Sequence, residues 1–452
     1  MTLNNYRQSL LGGWCAVVLI LFAGCTIEEK GSVPQAAYHD VPATPDCLQN
    51  INATLANGDA DLLFNYDHVP VFDIFMPKER WDNLLVNARD EEWVEGDVCF
   101  EGAAIGKIGV RFKGEVGTLI SCFDENDELI CPRLSLKFKF NEYDDEKRFF
   151  GLKRLILNNY RWDQTKMREK MAYDVFREMG IAAPRALWAM VRVNGESKGL
   201  YGMVEAIDGR FTEDRWPDSP DGNLYKEVWP TDTDEAFIVE RLKTNEESAD
   251  VSDMLTFAGE INAASDDVEV LQVIGNHMDV NQWMRFLAVE DAIMSYDGLT
   301  FFYTEDGTWH HNHNYYFYED APGHFTLIPW DLNSTFWLDN AHATPHWTEV
   351  QDDCSITYLY WEGFGAMAIA PACDKVMAAL NLNLPVWKQA AKEALDGPAS
   401  IETLNSRIDD YSAFIGREAR EKETFAPDFD DYVRYLRYDV EHVYTALENR
   451  IR

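Results

Sequence analysis

Three oxygen-bearing side chains, Asp297, Asn314 and Asp331, each stand at the edge of an apolar run. Asp297 belongs to Tyr296-Asp297-Gly298, where a helix is expected to end. Asn314 leads Tyr315-Tyr316-Phe317-Tyr318, and Asp331 closes Phe325-Thr326-Leu327-Ile328-Pro329-Trp330. Two apolar runs joined by a short loop predict a β-hairpin, which would bring Asn314 and Asp331 to one end as oxygen ligands for a hard cation. An Asp, an Asn and a second Asp at a strand end, in that order, are the groups that metal-assisted phosphoryl transfer uses for base and metal work. Each also has an everyday alternative: Asp-Gly is a common turn, Asp often ends a strand, and a buried Asn satisfies its own hydrogen bonds. His310, His311 and His313 open a zinc reading, but no third ligand is fixed by spacing.

Phosphoryl transfer also needs cations over the phosphates, because its charge lies on oxygen atoms. Ile108, Val110 and Phe112 alternate with Arg111 and Lys113, and Leu134, Leu136, Phe138 and Phe140 alternate with Lys137 and Lys139. Both runs predict half-buried strands with a basic second face, which an amphipathic strand in water would also show. Met167, Met171, Val175, Phe176 and Met179 recur at helical spacing between Asp163, a plausible N-cap, and Gly180, with Glu169 bordering the stripe. Asn194-Gly195 between apolar runs predicts a hairpin. Asp279 with Gln282 suggests a capping box opening a helix through Trp283, Phe286 and Leu287. The acidic stretch from about 214 to 267 reads as an insertion or the start of a second lobe, and beyond Thr335 the pattern is mostly helical. No P-loop, EF-hand loop or internal repeat is present.

Several of these segments together resemble the CotH family of atypical, secreted kinase-like proteins. The resemblance runs from about Pro70 to the C-terminus on Val110-Arg111-Phe112-Lys113-Gly114, Ser135-Leu136-Lys137-Phe138-Lys139-Phe140-Asn141, Gly151 to Asn159, Arg168-Glu169-Lys170-Met171-Ala172, Gly199 to Glu205, Gly222-Asn223-Leu224-Tyr225-Lys226 and the hairpin. It implies an α+β, bilobal atypical kinase-like fold, with a β-rich N-lobe at about 66–213 and a largely helical C-lobe at about 214–452. It further implies ATP with Mg²⁺ or Mn²⁺, and transfer of phosphate to Ser or Thr of exported proteins. On that resemblance one of Lys137 and Lys139 is the phosphate-binding lysine, Lys137 being favoured, with Glu169 as its partner, and Arg111, Lys113, Lys139 and Glu205 border the nucleotide. Asp297 is the base, and Asp331, Asn314 and Asn333 hold the metal. The family often carries Trp-Asp-x-Asp where this chain has Trp330-Asp331-Leu332-Asn333. The neutral Asn333 keeps open a rival reading, a catalytically silent binding or assembly module.

The chain has 452 residues and a formal net charge of −38, which argues against nucleic acid or an anionic membrane surface as partner. An apolar run, Leu10 to Ala23, ending Gly24-Cys25, predicts an export signal over 1–24. A lipidated Cys25 would then be the only membrane attachment, with plain secretion as the alternative. Residues 25–65, punctuated by prolines, are expected to be a flexible tether. Cys47, Cys99, Cys122, Cys131, Cys354 and Cys373 remain for disulfides. Proximity favours Cys122 with Cys131 and Cys354 with Cys373, leaving Cys47 with Cys99; no Cys-x-x-Cys pair suggests a metal site. Trp188, Tyr201, Trp229 and Trp283 could line a sugar cleft, but such aromatic residues more often belong to core and rim.

Overall fold

The computed structural model describes residues 45–304, 310–337, 344–361, 366–420 and 429–452. The expected signal and Cys25 lie outside the described residues. The strands in order are β1 Val71–Phe75, β2 Val94–Phe100, β3 Ala103–Phe112, β4 Leu136–Lys139, β5 Arg154–Asn158, β6 Ala186–Val193 and β7 Glu196–Glu205. They close a barrel in the order β1-β2-β3-β4-β5-β7-β6, sealed by parallel pairing of β1 with β6. Period-two alternation sorts the two faces of each strand. Val110, Phe112, Leu136, Phe138, Leu155 and Leu157 are buried, and Phe72, Phe100, Phe138 and Phe149 pack ring against ring among them. The other face carries the cations, with Arg111 opposite Lys137 and Lys139 opposite Arg154. The β6–β7 turn is built as the Asn194-Gly195 pair predicts, both residues having positive φ, +50° and +85°.

The helix between β5 and β6, Arg168–Glu178, starts later than Asp163 suggests. The Asp163 carboxylate instead accepts the N–H of Thr165 and of Arg168, both at 2.9 Å, through a turn in which Lys166 has φ +62°. Arg168 ties this helix to the second half of the chain. It donates to the carbonyl oxygens of Thr335 and Phe336 and pairs with Asp439 at 2.7 Å.

Among the described residues seven further strands follow: β8 Leu224–Lys226, β9 Phe302–Thr304, β10 His310–His311, β11 Tyr315–Ala321, β12 His324–Pro329, β13 Thr357–Trp361 and β14 Ala366–Ile369. The predicted hairpin is β11–β12, with Tyr315 opposite Pro329. The acidic stretch from 214 is no detached insertion, because β8 pairs with β11 in the sheet β12-β11-β8. Beyond Thr335 helices dominate as expected, interrupted by β13 and β14, which complete a second sheet, β10-β9-β14-β13. Helix Val280–Ala292 follows the predicted periodicity and is capped by Asp279, which accepts from Asn281 N–H; Leu384–Asp396, Ile401–Ala419 and Phe429–Ile451 supply the helical pattern expected beyond Thr335.

Two boundaries move. The packed body begins by Pro45 rather than near 66, since Leu63 and Phe64 are buried and Cys47 is bonded to Cys99. The lobe boundary expected near residue 213 falls inside one compact unit, Ala43–Arg452. The other disulfides are Cys122–Cys131 and Cys354–Cys373, the pairing favoured by proximity.

Candidate active site

The open end of the β11–β12 hairpin carries Asn314 and Asp331, one and two residues beyond the terminal strand pair, and the Trp330 N–H donates across it to the Asn314 carbonyl at 2.9 Å. Their backbones are left-handed, φ +65° and +48°, a conformation that Asn and Asp tolerate better than other side-chain-bearing residues. The residue types therefore suit both the turn and an oxygen-donor role. The Asn314 amide donates to the Asp297 carbonyl at 2.7 Å and to its carboxylate at 3.2 Å. That leaves the amide oxygen as the ligand end. The three groups singled out in the sequence are thus brought together.

Asp297 sits on a loop held from beneath. Glu290, 2% exposed, accepts the Leu299 N–H at 3.0 Å, and a Cβ at Gly298 would lie 2.3 Å from its Oε1, so only glycine fits. Burial pushes the Asp297 carboxyl up to about 6, with Asp331 adding to the rise and Tyr303, His313 and Asn314 opposing it. Tyr303 donates to Asp297 Oδ1 at 2.5 Å.

Across the cleft, Glu169 is 1% exposed and accepts both of its hydrogen bonds from Asn158 Nδ2, at 2.9 and 3.0 Å. Burial, then the Asp331 charge, push Glu169 up to about 8, against Asn158 and Lys113. Four residues on, Tyr173 lies on the same helix face and its hydroxyl accepts the Asp331 N–H at 3.1 Å. This helix thereby carries Glu169 and fixes the turn bearing Asp331. Lys113, at the end of β3, donates to Asn158 Oδ1 at 3.3 Å and lies 5.7 Å from the Trp330 ring. Lys113, Gly114, Ser135, Asn158, Asp331 and Asn333 line one cavity.

Several expected roles are placed differently. Lys137 makes no ion pair with Glu169 among the described residues; Lys113, reaching Glu169 through Asn158, stands closest to the expected pair. Burial and the neighbouring Arg154, Arg111 and Lys113 push the Lys137 ammonium down to about 7, with Asp208 opposing. Lys139 pairs with Glu142 at 2.6 Å, and Arg111 with Glu91 at 2.8 Å. Glu205 is no open ligand for a cofactor. Arg185 and Arg215 surround its carboxylate with contacts of 2.6–3.1 Å and hold it below the usual range despite burial. Asn333 turns its amide nitrogen to Asp331 Oδ1 at 2.5 Å and its oxygen to Ser334, so here it orients Asp331 rather than offering a ligand atom.

Asn158, Glu227, Tyr303 and Glu290 were not singled out from the sequence. Glu227 accepts the Asn314 N–H at 3.1 Å; burial disfavours its charge, but His313 and Lys226 with that N–H hold it down at about 2. It follows the Gly222–Lys226 segment directly, and Asn158 falls inside the Gly151–Asn159 one, so the segments pointed to the right places without separating these residues from their neighbours. His311 and His313 meet edge to face with ring centres 4.5 Å apart, but no group of three His, Cys, Asp or Glu among the described residues could hold a metal. None of the described helices is long and apolar enough to cross a membrane.

Comparison with known proteins places these features in a family. The family model CotH, described as CotH kinase protein, matches residues 110–450. The chain is 28% identical over 206 residues to the inner spore coat protein H of Bacillus subtilis, covering 43% of this chain and 52% of that protein. It is 29% identical over 175 residues to spore coat protein homolog 1 of Rhizopus delemar, covering 36% of this chain and 29% of that one. The matches thus span about half or less of these relatives. Among solved structures, the Shewanella oneidensis toxin–antitoxin HipA, HipB and operator DNA complex aligns with a TM-score of 0.30 and 8% identity, over 67% of this chain and 61% of that one, too low to carry an argument. With the family model covering the barrel from β3 onward, the hairpin and the C-terminal helices, the chain belongs to the CotH family.

Proposed function

We propose that this chain is a metal-dependent atypical protein kinase of bilobal kinase-like fold, transferring the γ-phosphoryl group of ATP to Ser or Thr hydroxyls of exported proteins. The observation that carries this reading is the joining of Asp297, Asn314 and Asp331 at one end of a hairpin, facing the Lys113–Asn158–Glu169 relay. The donor set fits Mg²⁺ or Mn²⁺: one carboxylate and one amide oxygen are hard ligands, and such a cation keeps waters and phosphate oxygens for its remaining positions. Burial and the Asp331 charge raise both Glu169 and Asp297, a cost that a cation would relieve. When bound, the metal would neutralise charge on the phosphate oxygens.

On this reading the chain's own groups divide the work. Lys113 donates toward the phosphates from a position set by Asn158 and Glu169. Arg111, Lys139 and Arg154 on the outer face of β3, β4 and β5, around Lys137, supply positive potential in an otherwise acidic protein. Asp297, with one oxygen engaged by Asn314, would accept a proton from an acceptor hydroxyl on the other, where the Tyr303 hydroxyl now donates. Export, with attachment through a lipidated Cys25, belongs to the same proposal; three disulfides fit an oxidising compartment.

A second reading, a silent binding module, is favoured by Asn333 and by the tightness of the cleft. Its cavity of ≈ 60 Å³ is far below the roughly 300–1,000 Å³ of ligand pockets. A working kinase must therefore open between the Gly114 turn and Asp331. Transfer of radiolabel from ATP to exported proteins in the presence of Mn²⁺ tests the choice: label dependent on Asp331 supports the kinase, and ATP binding without any transfer supports the module.

A further inference from the structure

The position next to Asp297 that an acceptor hydroxyl would take is filled by a hydroxyl of the chain itself. Tyr303 Oη lies 2.5 Å from Asp297 Oδ1, within the distance at which a base takes a proton, while Asn314 holds the other oxygen of the same carboxylate. Tyr303 is fixed there by its strand. It pairs with His311 on one side and Ala368 on the other, and its ring packs against Phe301 at 4.8 Å and His313 at 5.2 Å. Only five residues separate it from Asp297 in sequence, so the pair forms within one chain. A brace for Asp297 would need only the hydrogen bond. This phenol is also half-buried rather than sealed in, and it stands on the side of the carboxylate away from Asn314.

We propose that Tyr303 is an internal phosphoryl acceptor, modified in cis with ATP as donor; this rests on the kinase reading of the site. The phenolic oxygen bonds to the γ-phosphorus as the bond from that phosphorus to the β,γ-bridging oxygen breaks. ADP leaves with the electron pair, and the phenolic proton passes to Asp297. No oxidant or reductant is involved. The product places a phosphate beside Asp297 and Asp331, where like charge drives the side chain outward and clears the base for an external hydroxyl.

The test uses the full chain with ATP and Mn²⁺, followed by phosphosite mapping, with Tyr303→Phe and Asp331→Ala alongside and an exported-protein mixture as external acceptor. Phosphate on Tyr303, absent in Asp331→Ala and forming at a per-molecule rate independent of protein concentration, is the expected result. A rate that rises in proportion to protein concentration overturns the cis step. Label on the external proteins or on other residues with Tyr303 unmodified overturns this inference and leaves the kinase reading standing. Absence of both nucleotide binding and all transfer overturns the two together. The contact itself is read without metal or nucleotide: with ¹³Cζ-labelled tyrosine, the resonance removed by Tyr303→Phe should shift in Asp297→Asn. An unmoved resonance contradicts the geometry.

Discussion

Asp331 sits close enough to raise the cost of ionising Asp297, yet the account gives the two different work. Asp331→Ala should remove cation-dependent ATP binding, by at least about tenfold or ~1.4 kcal/mol, while the fold survives because the side chain is half-exposed at a turn. Asp297→Asn should keep binding and lose transfer by ~10²–10⁴-fold, as loss of a base does. Calorimetry and single-turnover transfer separate the two. Among the lysines, Lys113→Ala should cost most, about 2–5 kcal/mol in transfer, because its ammonium is joined to Glu169 through Asn158. Lys139→Ala should cost little, being paired with Glu142. Equal effects at all three positions, Lys137 included, would contradict this assignment. The oxygen donors were legible in the sequence because each interrupts an apolar run. The choice among lysines was not, since alternation assigns Arg111, Lys113, Lys137 and Lys139 the same basic face and cannot say which strand end reaches Glu169.

The loop between helix Val280–Ala292 and β9 is the element on which the base depends, and it rests on Glu290. Gly298→Ala would drive a methyl into Glu290 Oε1 and Ser295 Oγ, and should destabilise by about 1–3 kcal/mol, read as a lowered denaturation midpoint. Burial pushes Glu290 up to about 8, above its ordinary unfolded value near 4.3. The folded state therefore disfavours its ionisation. Stability from this group is fully present below about pH 4 and falls as pH rises, by up to ~1.4 kcal/mol per unit, until about pH 8. Glu290→Gln keeps an acceptor for the Leu299 N–H and should flatten that slope; an unchanged pH dependence of unfolding would show that Glu290 is not its source. Elements with strong periodicity or turn chemistry, such as the β11–β12 hairpin and the Asn194-Gly195 turn, were readable from sequence. The sheet made by β13 and β14 was not, because short strands amid helical stretches gain their stability from partners distant in sequence, here β9. The start of helix Arg168–Glu178 was misplaced for a related reason: Asp163 caps a turn first, and reaches the helix only at Arg168.

At the scale of the whole molecule, 78 acidic against 40 basic residues leave the folded state repelling itself. Added salt should therefore raise the melting temperature at neutral pH, most steeply below about 0.15 M, where screening lengths still exceed roughly 8 Å. A melting temperature that falls with salt would mean that paired charges such as Arg185–Glu205–Arg215 outweigh the repulsion. The charge excess also explains why the cations around Lys137 matter, since phosphate must find positive potential locally. The central claim is that Asp331 and Asn314 hold a divalent cation for ATP, and it is tested most directly by calorimetric titration of the full chain with ATP, with and without Mn²⁺, against Asp331→Ala. The account predicts one saturable site per chain that needs Mn²⁺ and is lost in Asp331→Ala. Binding of ATP that is indifferent to Mn²⁺, or unchanged in Asp331→Ala, would contradict it.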